Sequence, residues 1–154
     1  MNISSNLSQH GDLDGMAEIR SQTGVSINAD EGAFTTHDVV ELARRRAADV
    51  INLKVPKVGG LLMAKKMATV ADSMGMTCMA GAEGEVALCI GAKLHLAAST
   101  RNALNASDFT ELSTLKAWVL NETIKMDKTG CVPIPSGPGL GVTINEDLLR
   151  KYAV

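Results

Sequence analysis

Three short aliphatic runs begin near residues 25, 50 and 76, and each is followed by a stretch with helical spacing. That recurrence constrains the fold more than any other feature. Consecutive βα units of a parallel sheet repeat at about 25 residues, because every parallel strand needs a crossover to bring the chain back. The expected strands are VSINADE (25–31), DVINLKVP (49–56) and MTCMAG (76–81). The expected helices are DLDGMAEIRSQTG, ending at Gly24, then TTHDVVELARRRAA (35–48), GGLLMAKKMATVADSMG (59–75) and EVALCIGAKLHLAAS (85–99). Thr35 or Thr36 is the expected N-cap of the second, with Asp38 in its first turn. A weaker strand is expected around 103–109, followed by a polar stretch and the closing VPIPSGPGLGVTINEDLLRKYAV.

Both a doubly wound sheet and a (β/α) barrel satisfy this pattern. GPGLG (137–141) follows a proline-bearing loop and does not open a helix after a strand, so the dinucleotide fingerprint is missing and a barrel is favoured. A full barrel takes ~250 residues. The 154 residues hold about four units, so the expectation is an α/β fold forming part of a TIM-type barrel.

Composition narrows the function. The chain is 45% hydrophobic and 21% charged, with a net charge of −2, and carries no basic patch, which argues against nucleic acid as a partner. No apolar run reaches the length of a membrane span. Aromatics make up only 3%, so the core is expected to consist of Ala, Val, Leu, Ile and the eight Met. The three cysteines, Cys78, Cys89 and Cys131, are widely spaced, which suggests neither a disulfide framework nor a zinc site and fits a reducing cytoplasm. Cys78 and Cys89 read as inert core thiols. His10, His37 and His95 are not at metal-ligand spacing; His37 is expected at the surface and His95 as a satisfied core residue.

The strands themselves carry polar residues. Side chains alternate faces, so VSINADE sets Ser26, Asn28 and Asp30 on one face, and VINLKVP sets Asn52, Lys54 and Pro56 on one face. With these faces turned to the barrel interior, Asp30 and Lys54 lie near the C-terminal strand ends, where barrel active sites are built, and can approach each other. A bland reading makes them an ion pair that fixes register. The sharper one notes the bare Gly59–Gly60 that follows and expects desolvation to pull the Lys54 pKa down, so that the amine can act as a base.

The stretch from INADEG to ADSMGM, with NLKVPKVGG inside it, resembles the barrel of the muconate-lactonizing subgroup of the enolase superfamily. CMAGAEGEVALCIGAKLHLAAS and SGPGLGVTINEDLLRKY follow in the family's order. The subgroup includes the muconate cycloisomerases, dipeptide epimerases and o-succinylbenzoate synthases. The resemblance implies that the chain is the C-terminal half of the barrel: a non-matching segment over 1–11, a partial barrel over 12–135, and a segment over 136–154 that packs on a capping domain. It also implies abstraction of a proton next to a carboxylate, with Mg2+ stabilising the resulting anion. Carried over by position, Asp30 is a metal ligand, Lys54 the acid/base lysine, Glu85 the carboxylate placed near it, and Asp108 a substrate contact. Without the resemblance, Glu85 reads as charge compensation at a helix N-terminus.

The match is partial. The family's K-x-K motif and two of its metal-ligand carboxylates would fall before residue 12, where NISSNLSQH has no glutamate and offers only Gln9 and His10. The second aspartate of the epimerases' Asp-x-Asp pair is replaced by Thr110. Two readings follow. One is a fragment of a Mg2+-dependent isomerase or lyase acting on a small carboxylate (racemase, epimerase, cycloisomerase or dehydratase chemistry), completed by a missing N-terminal half. The other is a catalytically incomplete half-barrel that works, if at all, by homo-oligomerisation or complementation.

Overall fold

The computed structural model describes residues 3–4, 11–103, 107–115 and 118–153. Its elements are β1 (Ile3–Ser4), α1 (Leu13–Thr23), β2 (Ile27–Ala29), α2 (Thr36–Arg44), β3 (Val50–Leu53), α3 (Leu61–Ser73), β4 (Thr77–Ala80), α4 (Ala87–Ser99), α5 (Glu111–Thr114) and α6 (Glu146–Tyr152). The four strands form one parallel sheet in the order β1-β2-β3-β4. A doubly wound sheet reverses its strand order at a switch point. Here each strand lies beside its predecessor, as in the arc of a barrel.

Local chemistry sets the helix ends. Asp12 caps α1 through the Gly15 N–H at 2.8 Å. Thr35 and Asp38 form a reciprocal capping box at α2. That helix ends at Arg44, short of the expected 48, because the chain turns through Arg46 in the left-handed region at φ 55° to enter β3. The strands are shorter than their aliphatic runs, and Asp30 and Lys54 sit one residue past the ends of β2 and β3.

Apolar faces meet where expected. Ile27, Ala29, Ile51 and Leu53 pack with Val39, Leu42, Ala64, Met67 and Ala71 in one core. A second cluster joins Ala87, Ile90 and Leu94 of α4 to Leu120 and Ile124. Cys78 is buried and Cys89 partly so; all three thiols are free. His37 is exposed, and His95 Nε2 lies 3.1 Å from the Leu140 carbonyl oxygen. Residues 104–106 of the expected 103–109 strand, like His10, lie outside the described residues. Ala103 bridges Cys78 in parallel, and the Asp108 N–H donates to the Ala80 carbonyl at 2.9 Å. Among the described residues, no helix is long and apolar enough to cross a membrane.

Candidate active site

The β2–β3 register pairs Ala29 with Ile51, and continuing it sets Asp30 beside Asn52. Lys54 is two residues farther on, a diagonal that its long side chain spans. Lys54 Nζ lies 2.9 Å from Asp30 Oδ2 and 2.9 Å from Glu31 Oε1. Sequence alternation thus brought Asp30 and Lys54 together at the C-terminal ends of adjacent strands.

Lys57 completes the cluster. The chain turns back after β3, with Val58 N–H donating to the Lys54 carbonyl and Gly60 N–H to that of Val55. Gly59 at φ 85° and Gly60 at φ 110° make that turn possible. Lys57, only 2% exposed, then reaches Asp30 O at 2.7 Å, Asp30 Oδ1 at 3.1 Å and Asn52 O at 3.1 Å. Its three ammonium protons have three acceptors, and the Phe34 ring lies 5.5 Å from Nζ. Both Asp30 oxygens are therefore held by ammonium groups.

The charge state of Lys54 differs from the expectation. Burial pulls its pKa down, but hydrogen bonds to Asp30 and Glu31, with the charges of both, outweigh it, and the net shift is upward. Lys57 is the lysine whose pKa is lowered, chiefly by burial, which its bonds to Asp30 only partly offset. With two carboxylates in place Lys54 is a proton carrier, and it becomes a base only if one of them is drawn away.

Glu85 stands elsewhere. It lies in the loop between β4 and α4, two residues before the helix, and its Oε1 is 3.7 Å from Lys93 Nζ. Lys93 in turn lies 2.8 and 3.0 Å from the two oxygens of Glu111. No hydrogen bond or ion pair joins Glu85 to Lys54 among the described residues. Burial raises Glu85, yet hydrogen bonds from Glu111 and from backbone N–H groups, with the Lys93 charge, bring its pKa below the ordinary range. Burial raises Glu111, and the bond shared with Glu85 keeps it raised despite Lys93. The alternation argument missed Lys93 and Glu111, although a lone lysine inside the apolar CIGAKLHLA was the same kind of signal as Lys54. Asp108 sits at the end of β4, where its Oδ1 accepts from the Thr110 N–H at 3.0 Å and from the Thr110 hydroxyl.

Asp30 and Glu31 offer the hard oxygens that Mg2+ prefers. Their number falls short, however, and lysines occupy both oxygens of Asp30. Among the described residues, no group of three or more His, Cys, Asp or Glu side chains is placed to hold a metal ion. These residues alone do not fit the ion.

Comparison with known proteins bears on the family and the fold. The L-Ala-D/L-Glu epimerase of Bacillus subtilis is 37% identical over 131 residues, covering 85% of this chain and 35% of the epimerase. Muconate cycloisomerase 1 of Rhodococcus opacus is 33% identical over 140 residues, covering 91% of this chain and 37% of that enzyme. The chain thus spans well under half the length of these relatives. The crystal structure of 2-chloromuconate cycloisomerase from Rhodococcus opacus superposes with a TM-score of 0.92 at 28% identity, covering 100% of this chain and 42% of that one. A dipeptide epimerase from Enterococcus faecalis, solved with Mg and the dipeptide L-Leu-L-Tyr, superposes with a TM-score of 0.83 at 28% identity, covering 92% of this chain and 40% of that one. With a family model described as enolase C-terminal domain-like matching residues 7–148, the chain belongs to the enolase superfamily and has its α/β barrel-type fold.

Proposed function

We propose that this chain carries one side of the active site of an isomerase or lyase that moves a proton α to a carboxylate, with Lys54 as the acid/base group. The observation that carries the reading is the 2.9 Å approach of Lys54 Nζ to Asp30 Oδ2 at the C-terminal ends of neighbouring parallel strands. Lys54 holds the proton at Nζ, while Lys57 fixes Asp30 from the opposite oxygen. Asp30 by itself does not hold Mg2+; in a completed barrel its carboxylate would supply one of the several oxygen ligands that the ion needs. Glu85 and Asp108 complete the rim after β4, Glu85 as an acidic group and Asp108 as a contact for the substrate.

The proposed substrate is a small carboxylate, turned over in the cytoplasm, where free thiols persist. The proposed partner is an N-terminal half-barrel with its capping domain. Over 136–154, α6 buries no side chain and leaves Leu149 and Tyr152 44% and 52% exposed, which suits a surface that packs on that domain. A second reading, a half-barrel that acts by self-association without catalysis, is favoured by the ammonium groups already holding both oxygens of Asp30.

Co-expression with the N-terminal portion of the Bacillus subtilis L-Ala-D/L-Glu epimerase tests the first reading. In D2O with Mg2+, deuterium is expected to enter the α-position of L-Ala-L-Glu, followed by proton NMR, and Lys54→Ala is expected to abolish it. Exchange that survives Lys54→Ala, or no exchange although the two parts co-purify, would overturn it.

A further inference from the structure

Glu85, Lys93 and Glu111 come from the loop after β4, the middle of α4 and the first residue of α5. Their side chains are 6%, 0% and 1% exposed. The Phe109 ring covers the ammonium at 4.9 Å. Among the described residues, Cys89 of α4 also faces the cluster; Glu83, whose N–H donates to Glu85 Oε2, is itself exposed.

Two carboxyl groups here share one ammonium. If both were ionised, the site would bury a net negative charge, which a low-dielectric interior penalises. One retained proton removes the imbalance, and that proton belongs to the pair as a whole. The arrangement is also structural: α5 is a single turn of 4 residues, too short to be stable without its anchor.

We propose that Glu85, Lys93 and Glu111 form a one-proton latch. It holds the 81–86 loop and α5 against α4 while the carboxyl pair keeps its proton, and loosens them when that proton leaves. The loop continues from the C-terminal end of β4, so the latch sets how firmly that end of the sheet is closed. It does not depend on the reaction proposed above.

The sign of the pH dependence follows from the shifts. Glu111 is raised above the ordinary 4.5 of a glutamate, so its contribution is full below that value and is lost as pH rises through its folded-state pKa. Glu85 is lowered, so its contribution is present above the ordinary value and lost as pH falls through its own. The cluster is therefore most stable with one proton aboard.

Melting temperatures of the 154-residue chain and of Glu111→Gln at about pH 5 and pH 8 test the latch. The rise in pH is expected to lower Tm by roughly 2–4 °C more in wild type than in the variant. The two proteins share every group outside the cluster, so the difference between their profiles reads the cluster alone. Glu85→Gln leaves Lys93 with one carboxylate and is expected to flatten the profile as well, which keeps the test readable if Glu111→Gln does not fold. The Leu115 N–H, bonded to Glu111 O, is expected to exchange faster at pH 8, beyond its intrinsic acceleration, in wild type alone. Parallel Tm profiles in wild type and the variants that fold, or unchanged Leu115 protection at pH 8, would overturn the proposal.

Discussion

Two clusters of lysine and carboxylate among the described residues balance charge differently. Around Asp30, two ammonium groups face two carboxylates, and no extra proton is needed for neutrality. Around Lys93, one ammonium faces two carboxyl groups, and neutrality requires a bound proton. The first ties adjacent strands together at the sheet's C-terminal end; the second ties a loop and a single helical turn to α4. The first cluster also keeps Glu31 46% exposed, whereas the second is buried throughout; charge balance and burial together make only the second responsive to pH.

The largest expected effect comes from unbalancing the first cluster. Asp30→Ala leaves Lys54 and Lys57 without their shared carboxylate, and a loss of about 3–5 kcal/mol is expected in urea unfolding. A loss under about 1 kcal/mol would mean that Lys57, whose pKa burial already lowers, simply gives up its proton.

Lys93→Met should cost less, about 1–3 kcal/mol at neutral pH, because the carboxyl groups it abandons can take up a second proton. That cost is expected to shrink in acid, and a cost independent of pH would break the contrast between the clusters.

Packing near the first cluster can be sharpened with glycines. A Cβ at Gly81 would stand 1.9 Å from Asn52 Oδ1, whereas one at Gly91 would meet Val142 Cγ2 at 3.4 Å. Gly81→Ala is expected to destabilise by about 1–3 kcal/mol. Gly91→Ala, in mid-α4, is expected to be neutral or stabilising by up to about 1 kcal/mol. Thermal melts of the two variants compare them directly.

At the opposite end of the sheet, Arg20 binds both oxygens of Asp49, at 2.9 Å from Nε to each. This pair is about a third exposed, so Asp49→Asn should cost only about 1 kcal/mol after solvent screening. Asp49 is held below the ordinary carboxylate range chiefly by Arg20, so the difference from wild type should vanish as pH falls through its folded-state pKa. The smallest effect is expected from Mg2+: at millimolar concentration it should leave the melting temperature of the chain unchanged, and a tight site in a calorimetric titration would show that Asp30 releases its lysines.

How much was legible depended on sequence distance. The parallel order followed from the recurrence of strand and helix at about 25 residues, and the meeting of Asp30 with Lys54 from period-two alternation in two strands, because register and pleat fix where such side chains point. The place of Lys57 in the cluster was not legible, since its inward path depends on the left-handed turn at Gly59 and Gly60. Asp108 was singled out only through the resemblance, and neither its place beside the end of β4 nor its turn toward Thr110 was legible. Glu85 was located correctly in its loop, while its partners were not, because Lys93 and Glu111 are 18 residues apart and no local period relates a helix to the turn that docks on it.

By itself, the sequence determined which segments alternate and which faces are apolar, because backbone geometry converts spacing into direction within one element. Tertiary structure decided which charges share a proton and which lysine is raised or lowered. Those outcomes depend on desolvation and on distances of a few ångströms between elements, which no spacing along the chain records.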